Sequence, residues 1–151
     1  MAIRVTTYVY ATCIALRSGG TWRGILLRGP SGAGKSDLAL RIVEQGGRLV
    51  ADDQTALVPH RGGLVATPPG TLTGLLEVRG VGIVKLGRTQ LLARATIALL
   101  VDLVPPDRIE RLPDPAHETL LDVALPVVAL APFEASAPAK LRLALARRAA
   151  A

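Results

Sequence analysis

Cysteine and long hydrophobic runs are scarce in this sequence of 151 residues. Its only cysteine is Cys13, so no disulfide bond can form within the chain, which favours a reducing compartment such as the cytoplasm. A membrane-spanning helix needs roughly 20 mostly apolar residues. Aspartate and proline interrupt the most apolar stretches, residues 95–106 and 120–133. The sequence therefore predicts a protein without a membrane-spanning segment and without a membrane partner.

Aromatic residues are also few, at 3% of the chain, although the net charge is +6. A basic protein can attract nucleic acid, but proteins that bind single strands stack the bases on aromatic side chains. We therefore expect the positive charge to serve a phosphorylated ligand or an acidic partner, and we expect no nucleic acid.

Hydrophobic residues, in contrast, make up 50% of the chain, which excludes disorder as a description of the whole protein. No internal repeat or linker divides the sequence, so we expect a single domain over residues 1–151. The hydrophobic pattern predicts helices at residues 35–45 and 139–149, with strands between and around them, which together predict an α/β fold with a mixed sheet. The predicted strands lie at residues 5–16 (one or two strands), 24–27, 48–51, 56–58, 64–66, 75–78, 83–86, 97–103 and 127–130.

The most specific motif is the string GPSGAGKS, which follows an apolar stretch and precedes the first predicted helix. It matches the P-loop pattern, in which glycines allow backbone N–H groups to point at phosphate oxygens beside a helix N-terminus. Lys35 would neutralise the outer phosphates, and the Ser36 hydroxyl would bind a bridging Mg²⁺. The candidate residues for binding a nucleotide such as ATP are Gly29, Pro30, Ser31, Gly32, Ala33, Gly34, Lys35 and Ser36.

A P-loop requires an acidic partner for the metal ion or for proton transfer, and spacing alone leaves several candidates. Asp102 ends an apolar predicted strand, which slightly favours it as the metal-binding carboxylate. Asp52 and Asp53 end a shorter strand, and adjacent carboxylates repel each other unless a cation or a donor lies between them. The alternatives are a solvated turn at Asp52 and Asp53, a capping role for Asp102, and an exposed strand position for Glu77.

Three strings in order, GPSGAGKSDLAL, RLVADD and LLEVRGVGIVKL, resemble the catalytic domain of HPr kinase/phosphorylase over residues 8–111. The resemblance implies a fold similar to the nucleotide-binding core of phosphoenolpyruvate carboxykinase, in a short form without the family's N-terminal domain. It implies an enzyme that uses ATP (or pyrophosphate in some members) and Mg²⁺ to phosphorylate a serine of the phosphocarrier HPr, regulating carbon metabolism linked to the phosphotransferase system. A homo-oligomer, often a hexamer in the family, is the implied assembly.

The resemblance also assigns roles by position. It moves the preferred acidic residue from Asp102 to Asp53, with Asp52 beside it, as the general base that takes the proton from the substrate serine. It assigns Lys35 to the nucleotide phosphates, Ser36 and Glu77 to Mg²⁺, and Arg111 to the transferring phosphoryl group.

Two departures from the family pattern bear on the reverse, phosphorylase reaction. Tyr10 stands where the family usually has a catalytic histidine, and neither His60 nor His117 replaces it, since both are expected to be surface residues. Residues 133–139 lack the arginine-bearing loop that the family links to dephosphorylation. We therefore expect kinase activity with weak or absent phosphorylase activity. A small-molecule P-loop kinase and a nucleotide sensor without turnover remain the alternative functions.

Overall fold

This computed structural model describes residues 5–70 and 73–148, and within them eleven strands and two α-helices form. The helices are α1 (Lys35–Glu44) and α2 (Ala137–Arg148). Short 3₁₀ helices, Arg88–Gln90 and Pro106–Arg108, precede and follow the ninth strand. The strands are β1 (Thr7–Val9), β2 (Thr12–Ser18), β3 (Thr21–Arg28), β4 (Arg48–Ala51), β5 (Thr55–His60), β6 (Gly63–Thr67), β7 (Leu75–Val78), β8 (Gly82–Lys85), β9 (Ala95–Leu103), β10 (Ala116–Leu120) and β11 (Val123–Leu130).

Nine of these strands form one mixed sheet in the order β1–β5–β6–β9–β3–β2–β4, with β11 attached to β9 and β10 attached to β11. The other two strands, β7 and β8, form a separate antiparallel hairpin. Both β3 and β11 run parallel to β9, whereas β6 pairs antiparallel with its first residues. Because β3 and β9 are parallel, their last paired residues, Arg28 and Asp102, reach the same end of the sheet. The glycine-rich loop leaves from that end.

Apolar side chains are buried on both faces of the sheet, as the alternation along β2 and β3 requires. One face packs against Leu38 and Ile42 of α1 and against Leu141 and Leu145 of α2. On the other face, strands β5 and β6 supply a second buried cluster together with β2, β3 and β9. Burying each leucine or isoleucine of this kind stabilises the fold by about 1.5–3 kcal/mol, so both faces fix the strand ends that carry the loops.

The predicted α/β fold with a mixed sheet is confirmed, and every predicted strand is present. Two strands, at residues 48–51 and 75–78, have the predicted bounds, and most of the others are longer than predicted. The strand predicted at residues 24–27 begins at Thr21, because its polar first residues pair with β2. The helix predicted at residues 139–149 begins at Ala137, and its last predicted residue lies outside the described part of the chain. The pattern did not predict β10, because three of its five residues are exposed and its sequence, AHETL, shows no apolar alternation.

None of the helices in the described residues has the length and apolar character that crossing a membrane would need.

Candidate active site

The glycine-rich loop, residues 29–34, connects β3 to α1 in a conformation that depends on its glycines. Gly32 and Gly34 have φ angles of +84° and +102°, which side chains rarely adopt. A Cβ on Gly29 would lie 2.8 Å from the Cβ of Ala33. These constraints explain why the motif needs glycine at its first, fourth and sixth positions.

Backbone N–H groups and one cation converge at the N-terminus of α1. Within the described residues, the N–H groups of Gly34, Lys35 and Ser36 donate no hydrogen bond to backbone or side-chain acceptors, as expected for the first turn of a helix. Lys35 is buried, and its Nζ donates to the carbonyl oxygens of Gly29 at 2.6 Å and Pro30 at 3.3 Å. Free N–H groups beside an ammonium group make a site suited to an anion.

Asp52 is the centre of a hydrogen-bond network that joins three elements at this end of the sheet. Its Oδ1 accepts bonds from the hydroxyl of Ser36 at 2.7 Å and from the buried hydroxyl of Thr12 at 3.0 Å. Its Oδ2 accepts a bond of 3.1 Å from the backbone N–H of Glu77. The network fixes β4, α1 and the β7–β8 hairpin relative to one another. Sequence reasoning missed Thr12, since a threonine inside an apolar strand carries no distinctive signal.

Asp53 differs from Asp52 in the hydrogen bonding of its carboxylate. No side-chain or backbone donor in the described residues bonds to that carboxylate, and Asp53 is exposed. Its backbone N–H donates to the Thr12 hydroxyl at 3.1 Å, and its φ angle is +63°. Positive φ values are uncommon outside glycine and cluster at functional sites. The network around Thr12 thus holds Asp53 in an unusual conformation with a free carboxylate.

A cavity of about 330 Å³ opens in front of the loop and brings several predicted residues together. Its size falls within the range of small-molecule sites. Its lining combines oxygen and nitrogen groups with apolar side chains. The lining residues are Ser31, Gly32, Gly34, Lys35, Ser36, Asp37, Leu40, Asp53, Glu77, Val78, Arg79 and Phe133.

The oxygen donors in this cavity fit Mg²⁺ in kind. Ser36, Asp53 and Glu77 line it, and the proton of the Ser36 hydroxyl points to Asp52, which leaves its oxygen lone pairs for a cation. Among residues 5–70 and 73–148, no three His, Cys, Asp or Glu side chains form a group that could hold a metal by themselves. Mg²⁺ is commonly held by one or two carboxylates together with substrate phosphates.

Asp102 lies outside this cavity and is paired with Arg28. The Arg28 guanidinium donates to both oxygens of Asp102, at 2.8 and 3.2 Å, and to both oxygens of Glu118, at 2.5 and 2.8 Å. The hydrogen bonds that Arg28 donates to Glu118 are the main reason why the pKa of Arg28 is raised, and they also lower the pKa of Glu118. Arg28, Asp102 and Glu118 thus connect the ends of β3, β9 and β10 directly before Gly29. Asp102 therefore has a structural role in the sheet.

The remaining candidates divide by position. Arg111 is exposed in the connection before β10 and does not line the cavity, whereas Arg79, to which sequence reasoning gave no catalytic role, does line it. Tyr10 is 81% exposed, two residues before Thr12, and is also outside the lining. Cys13 is fully buried, and burial raises the pKa of its thiol to about 12, so it is neutral and packs as a core residue.

Comparison with known proteins bears on this geometry. A profile of the family described as HPr serine kinase C-terminal domain matches residues 9–141, which is most of the chain. The chain belongs to this family. The matched range contains the glycine-rich loop, both adjacent aspartates and the β7–β8 hairpin.

Curated relatives of the HPr serine kinase C-terminal domain family carry the name HPr kinase/phosphorylase. The chain is 40% identical to the protein of Clostridium tetani over 84 residues, which is 53% of this chain and 28% of that protein. It is 42% identical to that of Clostridium novyi over 91 residues, 56% of this chain and 30% of that protein. The matches therefore span less than a third of either relative.

A solved structure supports the fold. The HPr(Ser) kinase/phosphatase of Coxiella burnetii superposes with a TM-score of 0.77, covering 94% of this chain and 88% of that one, at 22% sequence identity. The two proteins therefore share the same fold, a mixed sheet with its helices.

Proposed function

We propose that this chain is an ATP-dependent protein serine kinase that phosphorylates an HPr-like phosphocarrier protein. The observation that carries the proposal is the cavity in which Lys35, Ser36 and the uncommitted carboxylate of Asp53 lie together. The proposal is also supported by the family and by relatives named HPr kinase/phosphorylase. Similarity to the core of phosphoenolpyruvate carboxykinase, a hexameric assembly and a cytoplasmic location stay predictions from the sequence.

In the proposed reaction, the serine hydroxyl of the carrier attacks the terminal phosphorus of ATP. The new oxygen–phosphorus bond forms as the bond to the bridging oxygen breaks, ADP leaves, and Asp53 takes the hydroxyl proton. The free N–H groups of Gly34, Lys35 and Ser36 would hold phosphate oxygens, and the Lys35 ammonium would neutralise charge on the outer phosphates. The carrier hydroxyl enters through the open side of the cavity, where Asp53 is exposed.

Ser36 and Glu77 are the residues that would hold Mg²⁺, and Asp53 lines the same cavity. When bound, the ion would offset the negative charge that develops on the phosphates during transfer. Asp52 would act on Ser36: by accepting the hydroxyl proton, it orients the serine oxygen toward the cation. Asp52 is therefore a positioning residue and Asp53 the proposed base.

Transfer of radiolabelled phosphate from ATP to a purified HPr-like carrier tests the proposal. We expect labelled carrier with the native protein and loss of transfer in Lys35→Ala, with unchanged circular dichroism. Phosphorylation of a small metabolite but not of the carrier would favour a small-molecule kinase. Binding of ATP without any turnover would favour a nucleotide sensor. A Lys35→Ala protein with near-native turnover would overturn the assignment of the loop.

A further inference from the structure

Phe133 is a large apolar side chain held at the edge of the cavity. It follows β11, and 68% of its surface is exposed. It lines the same cavity as the glycine-rich loop. Its ring edge contacts the backbone at the start of α1, since a Cβ on Gly34 would lie 2.9 Å from its Cζ.

The backbone on either side of Phe133 is fixed by hydrogen bonds from α1. The Arg41 guanidinium donates to the carbonyl oxygen of Pro132 and, at 3.5 Å, to that of Glu134, the residues on either side of Phe133. Asp37 orients Arg41 from the same helix, with an Nη2 to Oδ2 distance of 2.9 Å. Since α1 begins at the glycine-rich loop, the ring and the proposed phosphate site are positioned by one rigid element.

Two further apolar side chains line the cavity together with this ring. Leu40 lies one turn beyond Ser36 on α1, about 6 Å along the axis, and both Leu40 and Val78 line the cavity. Phosphates need none of these three apolar groups, because they are bound by N–H groups and cations. An apolar wall with an exposed aromatic face is the surface that a nucleobase requires, since bases stack on aromatic rings.

We propose that Phe133 is the stacking platform for the base of a nucleoside triphosphate, so that the cavity discriminates nucleotides from inorganic polyphosphates as phosphoryl donors. This inference rests on the proposed function, because it takes the phosphates to lie in the glycine-rich loop. Every base can stack on an aromatic ring, so Phe133 would favour ligands that contain a base and would contribute little to the choice among different bases.

Binding of ATP and of inorganic tripolyphosphate, each with MgCl₂ and measured by isothermal titration calorimetry, separates the base from the phosphates. We expect Phe133→Ala to weaken ATP binding about tenfold and to leave tripolyphosphate binding within twofold. Phe133→Trp should retain ATP binding, because the ring is replaced by a larger one. Leu143→Ala is the matched control, since Leu143 is 63% exposed on α2 and does not line the cavity.

Arg41→Gln provides a second variant that leaves the ring in place but removes its anchor. It should weaken ATP binding several-fold and leave tripolyphosphate binding unchanged. Equal losses for ATP and tripolyphosphate in Phe133→Ala, or no loss for either, would overturn the stacking role while leaving the proposed kinase intact. If the native protein bound neither compound, the proposed function itself would fail, and the stacking role with it.

Discussion

The Ser36 hydroxyl donates a hydrogen bond of 2.7 Å to the Asp52 carboxylate, and this contact divides the work of two adjacent aspartates. Asp52 also accepts bonds from Thr12 and from the Glu77 backbone, so both of its oxygens are occupied. Asp53 keeps a free carboxylate at the cavity. The two neighbours therefore differ in role: one orients the proposed metal-binding serine, and the other is available to take a proton.

Asp53→Asn is expected to lower the turnover of phosphoryl transfer by about 10²–10⁴, the usual contribution of a general base. The KM for ATP should stay within a few-fold, because the proposed mechanism assigns phosphate binding to the loop and Lys35 and not to Asp53. Steady-state kinetics with an HPr-like carrier would measure both constants. Asp102→Asn is the matched control and should leave transfer within a few-fold. A silent Asp53→Asn together with a damaging Asp102→Asn would return the role to Asp102.

Asp53→Gly separates the backbone conformation of this residue from its chemistry. Because φ is +63° at Asp53, glycine adopts the same conformation without steric cost, whereas alanine loses about 1 kcal/mol. We expect Asp53→Gly to unfold at an equal or higher denaturant midpoint than Asp53→Ala, while both lose transfer. Chemical denaturation followed by circular dichroism would measure the difference. A less stable glycine variant would mean that the positive φ carries no strain.

Arg79 and Arg111 offer a direct comparison between the structure and the resemblance. Arg79 lines the cavity, whereas Arg111 does not. A guanidinium near the transferring phosphoryl group stabilises the charge that develops there. We expect Arg79→Ala to reduce kcat/KM for transfer at least tenfold more than Arg111→Ala when each purified variant is assayed with ATP and carrier. The opposite order would show that residues 109–115 move into the site, or that another copy of the chain supplies Arg111.

Contiguous strings predicted the parts of the site that lie close together in the sequence. The glycine-rich loop and its helix were predicted because strand, loop and helix follow each other directly, whereas the preference for Asp53 came from the family resemblance. Contacts between distant residues could not be predicted in this way. Spacing favoured Asp102 because nothing local shows that Arg28, 74 positions earlier, binds it. Phe133 is brought to the loop by β11, whose parallel pairing with β9 no local pattern specifies.

The fold shows the same division. Buried strands such as β9 were predicted from their apolar runs, whereas β10 was not, since its residues are mostly exposed and its stability depends on partners. Those partners are β11, through backbone pairing, and Arg28, through Glu118. Because β10 is stabilised by backbone pairing and an ion pair, its sequence has no hydrophobic periodicity from which a strand could be predicted.

Glu118 gives a prediction on pH. Its pKa in the folded protein is lowered below the ordinary 4.5, chiefly by the hydrogen bond from Arg28. The ionised form therefore stabilises the fold above pH 4.5, and this contribution is lost as the pH falls through the lowered folded pKa. We expect the difference in unfolding free energy between native protein and Glu118→Gln, less than about 1 kcal/mol for a half-exposed pair, to be constant above pH 5 and to shrink below pH 4.5. Urea titrations at pH 3.5, 5 and 7 would measure it. A difference independent of pH would exclude the ion pair as its source.

The last prediction concerns the direction of the reaction. Reversal needs inorganic phosphate held in line with the phosphoserine, and so needs basic or cationic groups beyond those of forward transfer. Tyr10 stands where the family usually has a histidine, and the phenol of a tyrosine accepts a proton far less readily than an imidazole. Two cations that contact the segment after β11 are already engaged, since Arg41 bonds to the backbone around Phe133 and Lys140 pairs with Glu134 at 3.0 Å. We expect phosphorylated carrier incubated with high phosphate to release pyrophosphate at less than about a hundredth of the forward rate, the share that one general base contributes.

Tyr10→His should raise that reverse rate, because Tyr10 lies two residues before Thr12, at the strand end that holds Asp53. Comparable forward and reverse rates in the native protein would contradict the argument, and an unchanged reverse rate in Tyr10→His would show that the imidazole alone is not the missing group.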